Sequence, residues 1–230
     1  MQQETQQDTW KHLAGEAAAK LIEEGMVIGL GSGSTAAHMI HGLARRIQEG
    51  LRIVGGVPTS QATAQLASSL GIPLTNLDTH PKLDLAIDGA DEIDDQLHLI
   101  KGGGGALLRE KIVASVAQRF IVVADVNKQV QVLGLRTSLP VEVIPFGETP
   151  VRKRLEDLGA VVKVRQRGDQ VYLTDNGNVI LDCLFTNGIP DPSNLEPRIK
   201  QIVGVVETGL FLHMAEQVII GGPEGVKILP

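Results

Sequence analysis

Apolar residues fall in short runs punctuated by glycine, proline and polar clusters, and the spacing switches repeatedly between a helical and a strand period. Leu13, Ala17, Leu21 and Ile22 recur at helical spacing, and Gly25 supplies a stop. Met26 to Leu30 is a short apolar run that predicts a buried strand. The loop Gly31-Ser32-Gly33-Ser34-Thr35 follows at once, and a helical pattern then runs through Ala37, Ile40, Leu43, Ala44 and Ile47. Ile53 to Val57, closed by Pro58, predicts a second strand, and Ser60 to Leu70 a second helix. Leu83, Leu85 and Ile87 alternate with Asp84, Ala86 and Asp88, which predicts a third strand ending in an acidic turn. Ala106 to Ala117 reads as a helix and Phe120 to Ala124 as a buried strand. Alternating strands and helices imply parallel pairing through right-handed crossovers, hence a doubly wound α/β domain.

The rhythm changes near residue 131. Val141 to Ile144 predicts a strand, Pro150 to Leu158 a helix with proline in its first turn, and Val161 to Val164 a strand. Two strands follow, Val171 to Thr174 and Val179 to Leu184, joined by Asp175-Asn176-Gly177-Asn178, which has the residues of a tight hairpin. A helix from about Asn194 to Ile202 and a strand over Val203 to Val206 complete the series. The order resembles a split βαβ, ferredoxin-like arrangement with one extra strand. The last stretch, Gly209 to Pro230, is expected to return to the first domain. The expected division is therefore 1–130 plus 208–230 as the larger domain and 131–207 as a small α+β domain.

Composition narrows the class. Hydrophobic residues make up 43% of the chain and aromatics only 3%, so the core must be built from Val, Ile, Leu and Ala, which suits buried parallel strands. The formal net charge of −6 argues against nonspecific nucleic-acid binding, which needs a clustered basic face. A phosphorylated small molecule is still compatible, because a pocket needs only a few donors. The single cysteine, Cys183, excludes an intrachain disulfide and a multi-cysteine zinc site. No apolar run approaches the ~20 residues needed to span a bilayer. The polar start, with neither basic n-region nor apolar stretch, leads to the expectation of a soluble cytoplasmic protein with no membrane partner.

Three loops can carry chemistry. In the first, Gly31 and Gly33 let successive backbone N–H groups converge on an anion at the start of a helix, and Ser32, Ser34 and Thr35 add hydroxyls. Gly31-x-Gly33-x-x-Ala36 nominally fits a dinucleotide fingerprint, but the expected acid at the end of the second strand is missing, as is a P-loop lysine. The second is Asp88-Gly89-Ala90-Asp91-Glu92-Ile93-Asp94 at the carboxyl end of the third strand. Crowded carboxylates repel one another and are costly unless a cation or a reaction uses them, although a solvated acidic turn is the plain alternative. The calcium-loop spacing is absent. The third is Lys101-Gly102-Gly103-Gly104-Gly105, leading into a helix with Arg109, Glu110 and Lys111. Four consecutive glycines are entropically expensive to order, and close approach of a ligand to the backbone is the natural compensation. Lys128 again follows the carboxyl end of a strand.

His38 and His41, three apart on a helix, lack a third metal ligand at a recognisable spacing, and Cys183 closes an apolar strand with no activating neighbour. No G-x-S-x-G elbow or H-E-x-x-H motif occurs.

Taken together, GLGSGSTAAH, AIDGADEID, KGGGGALLREKI, the Lys128 loop, VIPFG and TDNGNVILDC make the chain resemble the type A ribose-5-phosphate isomerase family over nearly its whole length. The resemblance implies a Rossmann-like larger domain, a smaller α+β domain and a homodimeric or tetrameric assembly. It also implies interconversion of ribose 5-phosphate and ribulose 5-phosphate in pentose phosphate metabolism with no cofactor and no metal. Carried over residue by residue, it makes Glu110 the base that moves a proton between C1 and C2. Ser32, Gly33, Ser34 and Thr35 fall on its first substrate-binding loop, Asp88, Gly89, Ala90 and Asp91 on the second, and Lys101, Gly102, Gly103 and Gly104 on the third. Lys128 is a further contact, and Lys11 matches a family lysine near the site. The chain departs in having Gly105 and Leu108 where relatives can have alanine and threonine.

The implied chemistry needs a base for a weakly acidic C–H, which a buried carboxylate can supply, and stabilisation of the enediolate oxygen, which Lys101 and backbone N–H groups can supply. Asp88, with Lys101, is expected to handle hydroxyl protons and help open the furanose ring, and Asp91 to orient the sugar. Lys11, Lys128 and the Gly31 loop are left as alternative holders of the phosphate. The competing readings are an amino-sugar-phosphate isomerase or deaminase, a noncatalytic sugar-phosphate sensor, and a nicotinamide-dependent dehydrogenase. The sensor would want a DNA-binding helix-turn-helix, for which the short N-terminal tail is expected to leave no room, and the dehydrogenase is weakened by the missing ribose acid.

Overall fold

The structure, a computed structural model, describes residues 6–230; the first five residues of the polar tail lie outside the described residues. Close contacts divide the chain into two units, the first formed by residues up to Ala90, Arg109–Lys128 and Met214–Pro230, the second by Asp91–Leu108 and Gln129–His213.

The first unit holds a six-stranded sheet. Its strands are β1 (Val27–Leu30), β2 (Gly55–Pro58) and β3 (Leu83–Gly89), followed after two short strands of the second unit, β4 (Glu92–Ile93) and β5 (Leu99–Ile100), by β6 (Ala117–Asp125). The order across the sheet is completed near the C-terminus by Gln217–Gly222, parallel to β6, and by Gly225–Leu229, which folds back antiparallel on it. β1 pairs in parallel with β2 on one side and with β3 on the other, so the winding reverses between β1 and β3. The crevice outside the carboxyl ends of two such strands is where open α/β sheets bind ligands. β1, β3 and β6 are mostly buried runs rich in Val, Ile, Leu and Ala, as expected for parallel strands covered on both faces.

Helices α1 (Gln6–Ala19), α2 (Ser34–Gln48), α3 (Gln61–Ser69) and α4 (Leu107–Ser115) follow the sequence pattern. The buried positions of α1 are Ala14, Gly15, Ala18 and Ala19, with Leu13 and Ala17 only partly buried. Small residues are chosen there because α2 lies so close: a Cβ on Gly15 would stand 2.7 Å from the backbone nitrogen of Met39, and one on Gly42 would stand 2.9 Å from Ala19 Cβ. Because α1 begins by Gln6 and α4 at Leu107, Lys11 is in the second turn of its helix and Glu110 in the first turn of its own.

The second unit is built on a four-stranded antiparallel sheet. Its strands are β7 (Leu139–Val143), β8 (Val161–Val164), β11 (Val179–Leu184) and β12 (Val205–Thr208), with β9 (Gln166–Arg167) and β10 (Gln170–Val171) forming a separate two-stranded ladder. The spatial order β12-β7-β11-β8, with α5 (Glu148–Asp157) between β7 and β8 and α6 (Pro192–Lys200) between β11 and β12, is two interleaved split βαβ units. The extra strand expected at 171–174 does not join this sheet. Gln170 and Val171 pair with Arg167 and Gln166, while the expected turn itself closes, with the bridge Leu173 to Val179 and the Thr174 N–H donating to the Asn178 carbonyl at 2.9 Å. Glu142 on β7, whose Oε1 accepts from Thr174 Oγ1 at 2.9 Å and Asn178 Nδ2 at 2.8 Å, fastens the turn to the sheet by its side chains.

Residues 91–108, placed by sequence in the larger domain, group with this second unit. β4 pairs with β5, and β5 pairs with β13 (Leu210–Phe211), so a small three-stranded sheet ties the segment there. The remaining strands, already described near the C-terminus, are β14 (Gln217–Gly222) and β15 (Gly225–Leu229).

Candidate active site

The sheet reversal brings the first two loops together. Gly31 N–H donates to the Ile87 carbonyl at 2.9 Å, and Ser32 N–H donates to Asp88 Oδ1 at 2.9 Å. Asp88 Oδ1 also accepts from Gly89 N–H at 2.7 Å, and the side chain is 3% exposed. Gly31 has to be glycine because a Cβ there would stand 2.3 Å from Asp88 Oδ1. Gly33, at φ +94°, caps α2 without a side-chain hydrogen bond, and Ala37 N–H makes the first intrahelical bond to its carbonyl. The N–H groups of Ser34, Thr35 and Ala36 thus stand at the helix start, where they favour an anion.

Asp88 and Glu110 line one tight recess, with Gly29, Gly31, Thr59 and Phe120 among its walls. Glu110 is buried, at 6% exposed. At the carboxyl end of β6, the parallel neighbour of β3, Lys128 closes the one-turn helix Val126–Lys128. Lys11 is seated near the carboxyl end of β14, because a Cβ on Gly221 would stand 1.9 Å from the carbonyl oxygen of Trp10.

Sequence reasoning passed over the hydroxyl cluster beneath the first loop. Ser32 Oγ lies 2.8 Å from Thr59 Oγ1, 2.8 Å from Ser60 Oγ and 3.0 Å from Thr63 Oγ1. Thr63 Oγ1 donates to the Gly31 carbonyl at 3.0 Å and Thr59 Oγ1 to the Leu30 carbonyl at 3.1 Å. Ser60 also caps α3, accepting from Thr63 N–H. The legible signal was Ser60 followed by a helical run, which reads as a cap and nothing more.

In the second unit, Lys101 is 2% exposed; its N–H donates to the Gly209 carbonyl at 2.9 Å, and its ammonium lies 5.5 Å from the centre of the Phe211 ring. Asp91 Oδ2 accepts the N–H of Gly103 at 2.7 Å. Gly102 and Gly105 sit at φ +100° and +88°, conformations that L side chains rarely adopt.

The acidic run does not stand as one cluster of charges. Asp88 takes the N–H groups of Ser32 and Gly89, and Asp91 that of Gly103. Glu92, 1% exposed, takes those of Gly134, Arg136 and Thr137 at 2.6, 2.8 and 2.7 Å. Asp94 takes those of Gln96 and His98. Backbone amides therefore compensate part of the charge of this run. Among the described residues, no three His, Cys, Asp or Glu side chains converge as a metal site. His38 instead lies 3.3 Å from Asp8 and edge-on to His12. Burial pushes the Cys183 thiol up to about 12, with the Asp182 charge adding to the effect.

A family model described as "Ribose 5-phosphate isomerase A (phosphoriboisomerase A)" matches residues 55–225, well over half of the chain. The chain belongs to the ribose 5-phosphate isomerase A family. It is 54% identical over 219 residues to a ribose-5-phosphate isomerase A of Roseiflexus sp. (strain RS-1), covering 94% of each chain. It is 52% identical to one from Synechococcus sp. (strain JA-3-3Ab), covering 96% of this chain and 97% of the relative. Among solved structures, a D-ribose-5-phosphate isomerase in complex with phospho-erythronic acid superposes with a TM-score of 0.94 at 41% identity, over 98% of this chain and 99% of that one. The ribose 5-phosphate isomerase A of Methanocaldococcus jannaschii superposes with a TM-score of 0.91 at 42% identity, over 96% and 98%. The Rossmann-like sheet with its smaller α+β unit is thus the fold of the ribose 5-phosphate isomerase A family. No helix among the described residues is long and apolar enough to cross a membrane.

Proposed function

We propose that the chain interconverts D-ribose 5-phosphate and D-ribulose 5-phosphate by proton transfer through an enediolate, with Glu110 as the base. The observation that carries the reading is the juxtaposition at the sheet reversal of two buried carboxylates, Glu110 and Asp88, which line the same recess. In the forward direction the Glu110 carboxylate takes the proton from C2 of the open-chain aldose and returns it to C1. The O2 hydroxyl proton passes to O1 in the same conversion, and Asp88 is the group assigned to that transfer and to opening the furanose. The redox change is internal to the sugar, so the reaction as written calls on no cofactor and no metal.

Lys101 is assigned to the enediolate oxygen, since a lysine already desolvated by burial is a strong electrostatic partner for developing charge. Asp91 orients the sugar, and Gly89, Ala90 and Gly102 to Gly104 contribute backbone to it. Ser32 to Thr35, at the N-terminus of α2, and the cations Lys11 and Lys128 are assigned to the polar and phosphate ends of the substrate.

The test is Glu110→Gln assayed against ribose 5-phosphate by proton NMR. Turnover falls by orders of magnitude while affinity for the sugar phosphate is kept. Lost affinity with intact turnover of the bound fraction removes Glu110 from the role of base. Wild-type protein that leaves ribose 5-phosphate unchanged overturns the substrate, and amino-sugar phosphates are tested next.

Homodimeric assembly and a cytoplasmic location belong to the same proposal. The resemblance supports assembly, and so does an exposed apolar patch: Phe146 is fully exposed and Val203 94% exposed, on segments joined by the Ile144 N–H to Gly204 carbonyl bond. Light scattering on wild type and Phe146→Ser reads the assembly directly.

A further inference from the structure

The loop that follows Lys101 has little of its own to order it. Four glycines bring no side chains to pack, and two of them occupy backbone conformations that cost entropy to hold. Arg165 compensates from the carbonyl side. Arg165 Nη1 donates to the carbonyl of Gly102 at 2.7 Å and to that of Gly103 at 3.0 Å. The rest of the guanidinium is engaged by Asp182, with Nε at 2.9 Å from Oδ2 and Nη2 on Oδ1. Arg165 is itself braced by its main chain, its N–H donating to Ile180 and its carbonyl accepting from Tyr172.

The peptide between Gly102 and Gly103 is therefore gripped at both ends, its carbonyl by Arg165 and its N–H by Asp91. The next peptide also presents its carbonyl to Arg165, and a planar trans peptide then directs the N–H of Gly104 the opposite way. Gly103 and Gly104 are exposed, so that donor is at the surface of the loop. A carbonyl accepting from a cation also polarises its amide and strengthens the N–H as a donor. Tyr172 backs the last turn, its hydroxyl 3.4 Å from the Gly104 carbonyl.

We propose that Arg165 is a positioning residue for the isomerisation, fixing the peptide planes of Gly102 to Gly104 so that the loop meets the developing enediolate with its N–H side. This rests on the assignment of the Lys101–Gly104 loop to the substrate. Lysine cannot replace it, because one ammonium cannot span two carbonyls while engaging both oxygens of Asp182.

The experiment measures kcat and KM for ribose 5-phosphate with wild type, Arg165→Ala and Arg165→Lys, each with and without millimolar guanidinium or methylammonium, alongside thermal unfolding. The expected result is a loss of kcat of about 10- to 100-fold in both variants with KM little changed. Guanidinium restores a severalfold share of kcat to Arg165→Ala, and methylammonium does not. Unchanged kcat in both variants overturns the proposal, as does a loss that guanidinium leaves untouched. Where Arg165→Ala fails to fold, Arg165→Lys decides alone: wild-type kcat in that variant overturns the proposal. A wild-type protein without turnover overturns the functional reading instead.

Discussion

Asp88 holds Ser32 across the reversal of the sheet: its Oδ1 accepts the Ser32 N–H at 2.9 Å, fastening the end of β3 to the loop that follows β1. The bond sets the first loop against the recess shared with Glu110, and it exists because Gly31 leaves room for the carboxylate.

Replacing Gly31 by alanine puts a Cβ 2.3 Å from Asp88 Oδ1. The carboxylate must turn away, breaking its bond to Ser32. Turnover per active molecule is expected to fall by about 100-fold, since misplacement of about 1 Å has that cost. Stability falls by about 1–3 kcal/mol, typical of overpacking. Steady-state kinetics with denaturant unfolding checks both, and a variant with wild-type kcat refutes the link.

Glu92 belongs to the same acidic run and is assigned to stability alone. Glu92→Ala strands the three N–H groups of Gly134, Arg136 and Thr137, at a cost of about 3 kcal/mol or more. Turnover per folded molecule is unchanged. Denaturant titration beside kinetics separates the two, and a variant as stable as wild type contradicts the assignment.

Gly221→Ala sets a Cβ 1.9 Å from the Trp10 carbonyl, so α1 must move off β14. The expected loss is about 1–3 kcal/mol. Trp10 is the only tryptophan, so its emission reports the shift without labelling. Since Lys11 rides on the same turn, KM for the sugar phosphate rises. An unshifted emission with unchanged KM refutes the coupling.

Cys183 is fully buried and its thiol is pushed up to about 12 from a usual 9.0. The folded protein therefore resists alkylation at pH 8 and reacts only after denaturation. Above pH 9 the unfolded chain loses this proton first, so stability declines as pH rises toward 12, by up to about 1.4 kcal/mol per pH unit. Unfolding midpoints of wild type and Cys183→Ala across pH 8–11 check the sign: the variant shows the shallower decline.

Ser32 to Thr35 and Asp88 were legible as candidates because each lies in a local pattern, a glycine loop or an acid next to a predicted strand end, whereas Glu110, an ordinary helix acid by pattern, was singled out only by the family resemblance. Thr59 and Thr63 were not, because a threonine near a proline has no distinctive meaning until Ser32, some 30 residues earlier, is folded against it. The turn at 175–178 was legible from its own residues and closes as expected, whereas its fastening to Glu142, 32 residues away from Thr174, was not. Arg165 carries no sequence signal at all, its carbonyl partners lying 63 and 62 residues distant.

The sequence by itself determined the alternating elements, the Val/Ile/Leu/Ala core and the loops at the strand ends. These follow from periodicity, volume and turn chemistry, which act over a few neighbouring residues. Only the tertiary structure decided which acid accepts which amide, which unit takes residues 91–108, and what orders the glycines after Lys101. Those outcomes depend on hydrogen-bond geometry between groups far apart in the chain, and that geometry exists only once the sheets have closed.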